Sequence, residues 1–321
     1  MNRKKVVIAL GGNAIQSGDA TAEAQQKALE DTALQLVKII KEGFDIVITH
    51  GNGPQVGNIL LQQKAADSKN TPAMPLDTCG AMSEGMIGYW MQNAIDKALT
   101  ANHIEKDVVT IITRTEVGLH DQAFNHPTKP IGPFYQEDEA KQLMAEQNLV
   151  FKEDAGRGWR RVVPSPKPIN IFEHRIINNL VNNGNIVIAV GGGGIPVYQD
   201  FSGIHGVEAV IDKDFAAQKL AELVDADILL ILTAVENVAI NFNKPNQESL
   251  TNTTVDQLQE YIQDNQFAPG SMLPKVEAAI DFAKSRDGRE SIITSLDYAY
   301  EALVKQAGTH ISAQIRETVV G

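Results

Sequence analysis

The sequence has very little cysteine, since Cys79 is the only one among 321 residues. A single cysteine excludes an intrachain disulfide and a thiolate metal cluster, and it is typical of a protein from a reducing compartment. A small buried hydrophobic role explains this side chain more simply than a nucleophilic one. The seven histidines are scattered and form no HExxH motif, so a protein-held metal site is not predicted.

Long hydrophobic runs are also missing. The run Ile228–Leu232 is among the longest, whereas about 20 apolar residues are needed to cross a bilayer. The basic start Asn2–Lys5 precedes only a short apolar stretch before Gly11, which is too short for a secretory signal and is more typical of a first strand. We therefore expect a cytoplasmic location.

Basic residues are too few for a surface that binds polyanions. The chain carries 28 Lys and Arg against 40 Asp and Glu, which gives a formal net charge of −12. Nucleic acid and anionic membranes both favour a basic surface, so neither is predicted as a partner. The P-loop signature, GxxxxGKS or GxxxxGKT, is absent as well, and its absence excludes a P-loop enzyme.

Glycine, by contrast, is concentrated where apolar strand-like runs end. Glycine lets backbone N–H groups approach a ligand closely, and such turns at the ends of parallel strands are common phosphate sites. Three of them predict a protein that grips more than one phosphoryl group, although each could simply end a strand. The runs and their turns are Val6–Leu10 with Gly11, Gly12 and Asn13; Ile46–Thr49 with Gly51, Asn52 and Gly53; and Ile186–Val190 with Gly191, Gly192 and Gly193.

Strand and helix patterns alternate along most of the chain, which favours an α/β fold with a mostly parallel sheet flanked by helices. Apolar periodicity and capping residues define the segments, and we expect Ser83 to cap the third helix. The predicted helices are Thr21–Lys41, a helix from Pro54, Ser83–Leu99, Gln136–Gln147, Glu173–Asn182, Asp214–Leu223, Val255–Asn265 and Pro274–Ser285. Further predicted strands are Val108–Thr113, Asp227–Thr233 and Ser291–Thr294.

The alternation breaks at Gly118–Pro168, which is rich in proline, glycine and charge. One short helix is the only regular element predicted there. A long irregular segment in a compact protein is usually functional, so we expect a lid over a binding cleft.

Three lysines are candidates to meet phosphates. Prolines on both sides of Lys129 restrict its backbone. Lys213 and Lys275 lie at predicted helix starts, where a lysine opposes the helix dipole unless an anion is also present. A solvated surface position remains the alternative for each of them.

The chain resembles the carbamate kinases of the amino acid kinase family. The matching segments occur in the same order over nearly the whole length, and those around Lys129 and Lys152–Gly158 are specific to carbamate kinases. The matching segments are Ala9–Ala14, His50–Gly57, Pro127–Gly132, Lys152–Gly158, Ser165–Pro168, Gly191–Pro196, Val210–Asp214 and Gly270–Lys275.

The resemblance implies a reaction and an architecture. The reaction is reversible phosphoryl transfer from carbamoyl phosphate to ADP, giving ATP and carbamate, with formation of ATP during arginine breakdown as the commoner direction. The architecture is a three-layer αβα sandwich: a lobe for carbamoyl phosphate at 1–180, with a small protruding lid at about 118–168, and a nucleotide lobe at 181–321. It also implies a homodimer, for which helix Ser83–Leu99, with Tyr89 and Trp90, is our interface candidate.

The resemblance also implies roles for individual residues. Lys129 would meet carbamoyl phosphate, Lys213 and Lys275 would meet the nucleotide phosphates and the moving group, and Asp214 would hold these lysines. Mg²⁺ would be held mainly by nucleotide phosphates. The predicted phosphate-binding residues are Gly11, Gly12, Asn13, Gly51, Asn52 and Gly53. The predicted nucleotide-binding residues are Gly191, Gly192, Gly193, Lys213, Met272 and Lys275.

The sequence departs from the family pattern at Arg114 and His126, where Gln and Asn are usual. Both lie near the predicted lid, so they affect fine substrate contacts. Alternatives are another amino acid kinase, which would lack Lys129, and a nucleotide sensor, which would not need the three lysines and Asp214. A dehydrogenase is the third, because Gly51–Gly57 nearly matches the dinucleotide motif GxGxxG.

Overall fold

The computed structural model describes residues 3–15, 19–147, 149–154 and 156–313. Its α-helices in these ranges are α1 Ala22–Lys41, α2 Gly53–Ala65, α3 Leu76–Ala101, α4 Glu137–Gln147, α5 His174–Asn182, α6 Lys213–Leu223, α7 Val255–Gln263, α8 Leu273–Lys284 and α9 Ala299–Leu303. The strands are β1 Lys5–Ala9, β2 Asp45–Thr49, β3 Val108–Thr110, β4 Arg114–Val117, β5 Lys129–Tyr135, β6 Phe151–Glu153, β7 Trp159–Val163, β8 Pro168–Ile171, β9 Ile186–Ile188, β10 Ile195–Asp200, β11 Gly203–Gly206, β12 Ile228–Thr233, β13 Ala239–Ile240, β14 Glu248–Ser249, β15 Asn252–Thr254, β16 Glu290–Ser295 and β17 Thr309–Ser312.

The main sheet has eight strands in the order β15-β17-β16-β12-β1-β2-β9-β3. Its strands run parallel except for the β16–β17 pair. The three glycine-rich turns follow strands β1, β2 and β9. These three strands are neighbours in the sheet, because β9 lies between β2 and β3. Parallel neighbours bring their carboxyl ends to one edge, and the turns therefore lie side by side.

Helices cover both faces of this sheet because its strands are apolar on both sides. In β1, Val6 and Ile8 face a core that includes residues of α1, α3 and α9. Val7 and Ala9 face a second core built with α5 to α8. The predicted three-layer αβα sandwich is thereby confirmed.

The segment Gly118–Pro168 is more regular than its composition suggests, so our prediction of an irregular segment was wrong. Strands β5, β7 and β6 form a separate antiparallel sheet, with α4 packed beside it. The strands are short, and β5 carries two prolines and a bulge, which hides the period-two pattern. A protruding subdomain with its own sheet thus exists where we predicted a lid.

A small apolar cluster lies at the root of this subdomain. Ile131 and Val163 of the subdomain pack there with Val56, Leu76 and Cys79 of the body. Cys79 is fully buried, in agreement with its expected hydrophobic role.

The third helix begins earlier than predicted, at Leu76, so Ser83 lies inside it and does not cap it. Its apolar side chains pack within the chain, largely against α1, whereas Tyr89 is exposed. A second sheet, β11-β10-β4-β8, was also missed. No helix in the described ranges is long and apolar enough to cross a membrane.

Candidate active site

The glycine turns after β1 and β2 form one wall of a cleft at the carboxyl edge of the main sheet. A Cβ at Gly11 would lie only 2.8 Å from the carbonyl oxygen of Leu232, so the backbone needs glycine at this close approach. Helix α2 begins at Gly53, with Pro54 in its first turn, and directs its N-terminal amides into the same cleft. Asn13 belongs to the turn after β1, but its side chain lies outside the described part of the structure.

The opposite wall carries Lys213 and Lys275, both bound to one carboxylate. Each lysine Nζ lies 2.9 Å from a different oxygen of Asp214. Asp214 is buried, and its two partners are nearly so. Burial acts to raise the pKa of Asp214, but the two ammonium groups outweigh it and hold the pKa well below its usual range. Asp214 therefore stays ionised and fixes both cations.

Lys129 approaches from the protruding subdomain. Its Nζ lies 2.6 Å from Oδ2 of Asp212, and Oδ1 of Asp212 accepts the N–H of Asp214 at 2.9 Å, which caps α6. One aspartate therefore links the subdomain lysine to the helix that carries the other two charges. Sequence reasoning assigned no role to Asp212, although an aspartate just before a helix start is a recognisable N-cap signal.

Two cavities meet at the paired lysines. The first, of about 270 Å³, is lined by the turn Gly51–Gly53, by Lys129 and by Gly270 and Ser271. The second, of about 370 Å³, lies at the ends of β1, β12 and β16, with Asp297 in its lining. Gly12, Lys213 and Lys275 line both cavities. The geometry provides two ligand spaces with positive charge at their junction.

The predicted nucleotide-binding residues are not all in these linings. Gly192 lines the first cavity, whereas the N–H of Gly191 binds Glu84 and a Cβ at Gly193 would meet Ile211. Met272 precedes α8 and packs against the apolar core on that face. Their predicted nucleotide contacts remain predictions.

Two buried ionisable residues behind the glycine turns were missed from sequence. His50 is fully buried, and its Nδ1–H donates to the Gly51 carbonyl at 2.9 Å. Burial lowers the pKa of His50 to about 4, so the ring is neutral at pH 7. Burial raises the pKa of Glu84 to about 8, although the backbone N–H groups of Thr113 and Gly191 oppose that shift. His50 opens the family-matching segment His50–Gly57 but was given no role, and no motif marks Glu84.

The two departures from the family pattern lie outside both cavity linings. The Arg114 side chain donates to Glu173 at 2.7 Å and stacks over Phe172. His126 is exposed just before β5. Neither substitution therefore changes a residue that lines the cleft.

Comparison with known proteins decides the family. The model of the amino acid kinase family matches residues 4–295. The chain is 58% identical to a carbamate kinase from Latilactobacillus sakei over 313 residues, which cover 97% of this chain and all of the relative. This chain belongs to the carbamate kinases of the amino acid kinase family. The resemblance predicted from its motifs is thereby confirmed.

Further relatives support the same assignment. Carbamate kinase 1 from Enterococcus faecium is 59% identical over 294 residues, or 92% of this chain and 94% of the relative. A solved carbamate kinase from Giardia lamblia bound to AMP-PNP is 48% identical, with a TM-score of 0.90 over 97% of this chain and 98% of that chain. These findings favour carbamate kinase activity over the dehydrogenase, sensor and other-kinase alternatives.

Proposed function

We propose that this carbamate kinase passes the phosphoryl group between carbamoyl phosphate and ADP at the junction of the two cavities. One observation carries the proposal: Asp214 holds both lysines that line the two cavities. A group moving between two ligand spaces must cross their junction. Fixed cations there would neutralise the charge on the group in flight.

The first cavity would take carbamoyl phosphate. Backbone N–H groups of the phosphate-binding turns would hold its phosphoryl group, and Lys129 would meet the substrate from the subdomain side. Because Lys129 is anchored through Asp212 to the start of α6, its charge is already directed into the cleft. The residues proposed to hold the phosphoryl group are Gly11, Gly12, Asn13, Gly51, Asn52 and Gly53; of these, Gly11 lines the second cavity and Gly12 lines both.

The second cavity would take the nucleotide. Most of its lining residues lie within the range 181–321 proposed for the nucleotide lobe, and a related carbamate kinase has been solved with AMP-PNP. Lys213, Lys275 and Met272 keep their proposed nucleotide roles. For Gly191–Gly193 we also propose a supporting role at the substrate end, because the Gly192 N–H donates to the His50 carbonyl at 2.7 Å. The proposed lobe boundary lies near residue 180, so β9 belongs to the C-terminal lobe by sequence. In the sheet, however, β9 lies between β2 and β3 of the N-terminal lobe.

Transfer needs little covalent chemistry from the protein. Carbamate is already an anion, so no general base is required, and the site has only to align the reactants and balance charge. Lys213 and Lys275 would contact the group as it moves, while Asp214 would orient the lysines without touching the reacting atoms.

The residues fit a magnesium ion held mainly by the nucleotide. Both oxygens of Asp214 bind lysines, and Asp212 pairs with Lys129. In the described ranges, no group of three or more His, Cys, Asp and Glu is placed to hold a metal ion. Phosphate oxygens and water would fill most of the shell, with Asp297 as the nearby carboxylate. The ion would supply further charge neutralisation on the phosphates.

A homodimer, a cytoplasmic location and formation of ATP in arginine breakdown also remain proposals. The apolar side of α3 is used inside the chain, so the exposed side chains Met82, Tyr89 and Ile112 are better interface candidates than Trp90. Light scattering of Tyr89→Glu tests this: a folded monomer supports the interface, and a folded dimer argues against it.

The direct test of the proposed transfer is ATP formation from ADP and carbamoyl phosphate, followed with a coupled assay. Wild-type protein should form ATP only when both substrates are present. A protein that binds ADP but forms no ATP would contradict the proposal.

A further inference from the structure

We infer that Glu84 is a positioning residue for the carbamoyl phosphate end of the cleft. It lies in α3, is about 1% exposed and lines neither cavity. Its carboxyl group accepts a hydrogen bond from the turn after β9, and the backbone of that turn packs against Asn52. The inference rests on the proposed assignment of the Gly51–Gly53 turn to carbamoyl phosphate.

Glu84 uses both oxygens of its carboxyl group to join two separate backbone segments, and each oxygen can accept an N–H whether or not the group is ionised. Oε1 accepts the N–H of Gly191 at 3.0 Å, and Oε2 accepts the N–H of Thr113 at 3.2 Å. Gly191 follows β9, and Thr113 follows the neighbouring strand β3. One buried side chain thus ties the ends of two adjacent strands to helix α3.

The turn after β9 needs such external restraints because its backbone is unusual. Val190 has a φ of +56°, and Gly192, Gly193 and Gly194 have φ values of +69°, +94° and +78°. The left-handed region is unfavourable for a β-branched residue such as valine. Such a conformation persists only where surrounding contacts enforce it.

Three successive amides of this turn are held by different neighbours. The N–H of Val190 donates to Oγ1 of Thr113 at 3.0 Å, and that of Gly191 donates to Glu84. The N–H of Gly192 donates to the carbonyl of His50 at 2.7 Å. Glu84 therefore provides the central restraint, and through Thr113 it also supports the first.

The restrained turn packs directly against Asn52. A Cβ at Gly192 would lie 2.1 Å from Nδ2 of Asn52, so the amide group of Asn52 occupies the space that any larger residue at 192 would need. Nδ2 of Asn52 donates to Oγ of Ser83 at 2.7 Å, and Ser83 precedes Glu84 in α3. Ser83 thus binds Asn52 directly, while Glu84 restrains the turn that packs against Asn52.

Glu84→Gln tests this role in the full-length enzyme. The amide keeps the shape but has one acceptor oxygen, so its NH₂ would face an N–H of Gly191 or Thr113. We expect the KM for carbamoyl phosphate to rise and kcat to fall, each by about tenfold, because small misplacements of a substrate site are costly. The dissociation constant for ADP should stay within about twofold of wild type.

Asp96→Asn, an exposed change on the same helix, is the matched control and should behave as wild type. Glu84→Asp keeps both acceptors on a shorter side chain and should recover part of the lost activity. A folded Glu84→Gln enzyme with wild-type KM and kcat would overturn the inference. Equal weakening of ADP binding would also overturn it, because it would indicate a general structural effect.

Ser83→Ala is the second variant, used if Glu84→Gln does not fold. It removes the hydroxyl that accepts from Asn52 and should selectively raise the KM for carbamoyl phosphate. A normal KM in Ser83→Ala would overturn the claim that α3 positions the substrate turn.

Lys129→Ala distinguishes a failure of the proposed substrate-end assignment from a failure of the positioning role of Glu84. If its turnover is unchanged, the substrate-end assignment fails, whereas an impaired Lys129→Ala beside a normal Glu84→Gln removes only the positioning role.

Discussion

The two sides of the cleft hold their lysines in different ways. Lys213 and Lys275 have side chains 17% and 15% exposed, and they share one carboxylate that is 3% exposed. Lys129 is 32% exposed, pairs with a different aspartate and belongs to the protruding subdomain. The body therefore carries a buried pair of charges fixed by one carboxylate, while the subdomain carries a more exposed lysine whose ion pair with Asp212 links it to the body.

This difference suggests a division of labour. Charge at the junction must be in place before the phosphoryl group moves, because reorganisation during the reaction would add to the barrier. Lys129 is held by Asp212 before substrate binds and would exchange that partner for the substrate as the site closes.

The largest effect is expected at the fixed pair. Asp214→Asn removes the charge that holds both lysines, and the remaining ammonium groups repel each other in a poorly hydrated place. We expect kcat to fall about a thousandfold, at the upper end of losses for displaced transition-state donors. Steady-state kinetics measures it, with the surface change Asp31→Asn as control. A near-normal kcat would show that Asp214 does not organise the site.

A smaller and more selective effect is expected on the subdomain side. Lys129→Ala should lower turnover about a hundredfold, because one charge-assisted contact in a closed site is lost. Binding of ADP should change little, since Lys129 lines the first cavity. Calorimetric titration with ADP, beside the activity assay, checks both parts. Weakened ADP binding at normal turnover would contradict the assignment, because it would place Lys129 at the nucleotide end of the cleft.

The subdomain itself should differ from the body in protection from proteases. Lys152 and Arg157 are exposed within it, so trypsin should cut the free enzyme there first. A phosphonate analogue of carbamoyl phosphate should slow this cleavage if the subdomain closes over the substrate. Cleavage at the same rate with and without the analogue, while the analogue inhibits the enzyme, would rule out a closing lid.

A further effect concerns the acid stability of the body rather than catalysis. His50 has a pKa lowered by burial to about 4, whereas the unfolded side chain titrates near 6.5. The unfolded state therefore binds the proton first, and the folded state loses up to about 3 kcal/mol as pH falls from about 6.5 to 4. Above that range His50 contributes no pH dependence. His50→Asn should flatten this part of the denaturation profile, while exposed His103→Asn should not.

The layout of the cleft was largely predictable from sequence. Apolar runs that end in glycine identify strand ends, and parallel packing gathers those ends at one edge. The sequence pattern alone identifies Gly11, Gly51 and Gly192 as residues of such turns. The predicted helix starts at Asp214 and Pro274 lie within one residue of the observed starts at Lys213 and Leu273.

The contacts that organise the cleft were not predictable in the same way. Lys275 and Asp214 are 61 residues apart, and their contact depends on how α6 and α8 pack. Local pattern carries no information on such pairing, and the shared Asp214 was proposed only through the family resemblance. Glu84 looks like any polar residue in an amphipathic helix, because its burial is decided by the neighbouring turns. The sheet of the subdomain was missed because β5 carries two prolines and a bulge, which interrupt the period-two pattern, and β6 has only three residues.

The most direct test of the central claim is the kinetics of Lys275→Ala at saturating substrates, together with its dissociation constant for ADP. The account predicts that kcat falls about a hundredfold while ADP binding weakens only slightly, because charge on the phosphoryl group is greatest in flight. An unchanged kcat with much weaker ADP binding would contradict this account, because it would show that Lys275 binds the nucleotide and does not stabilise the transition state.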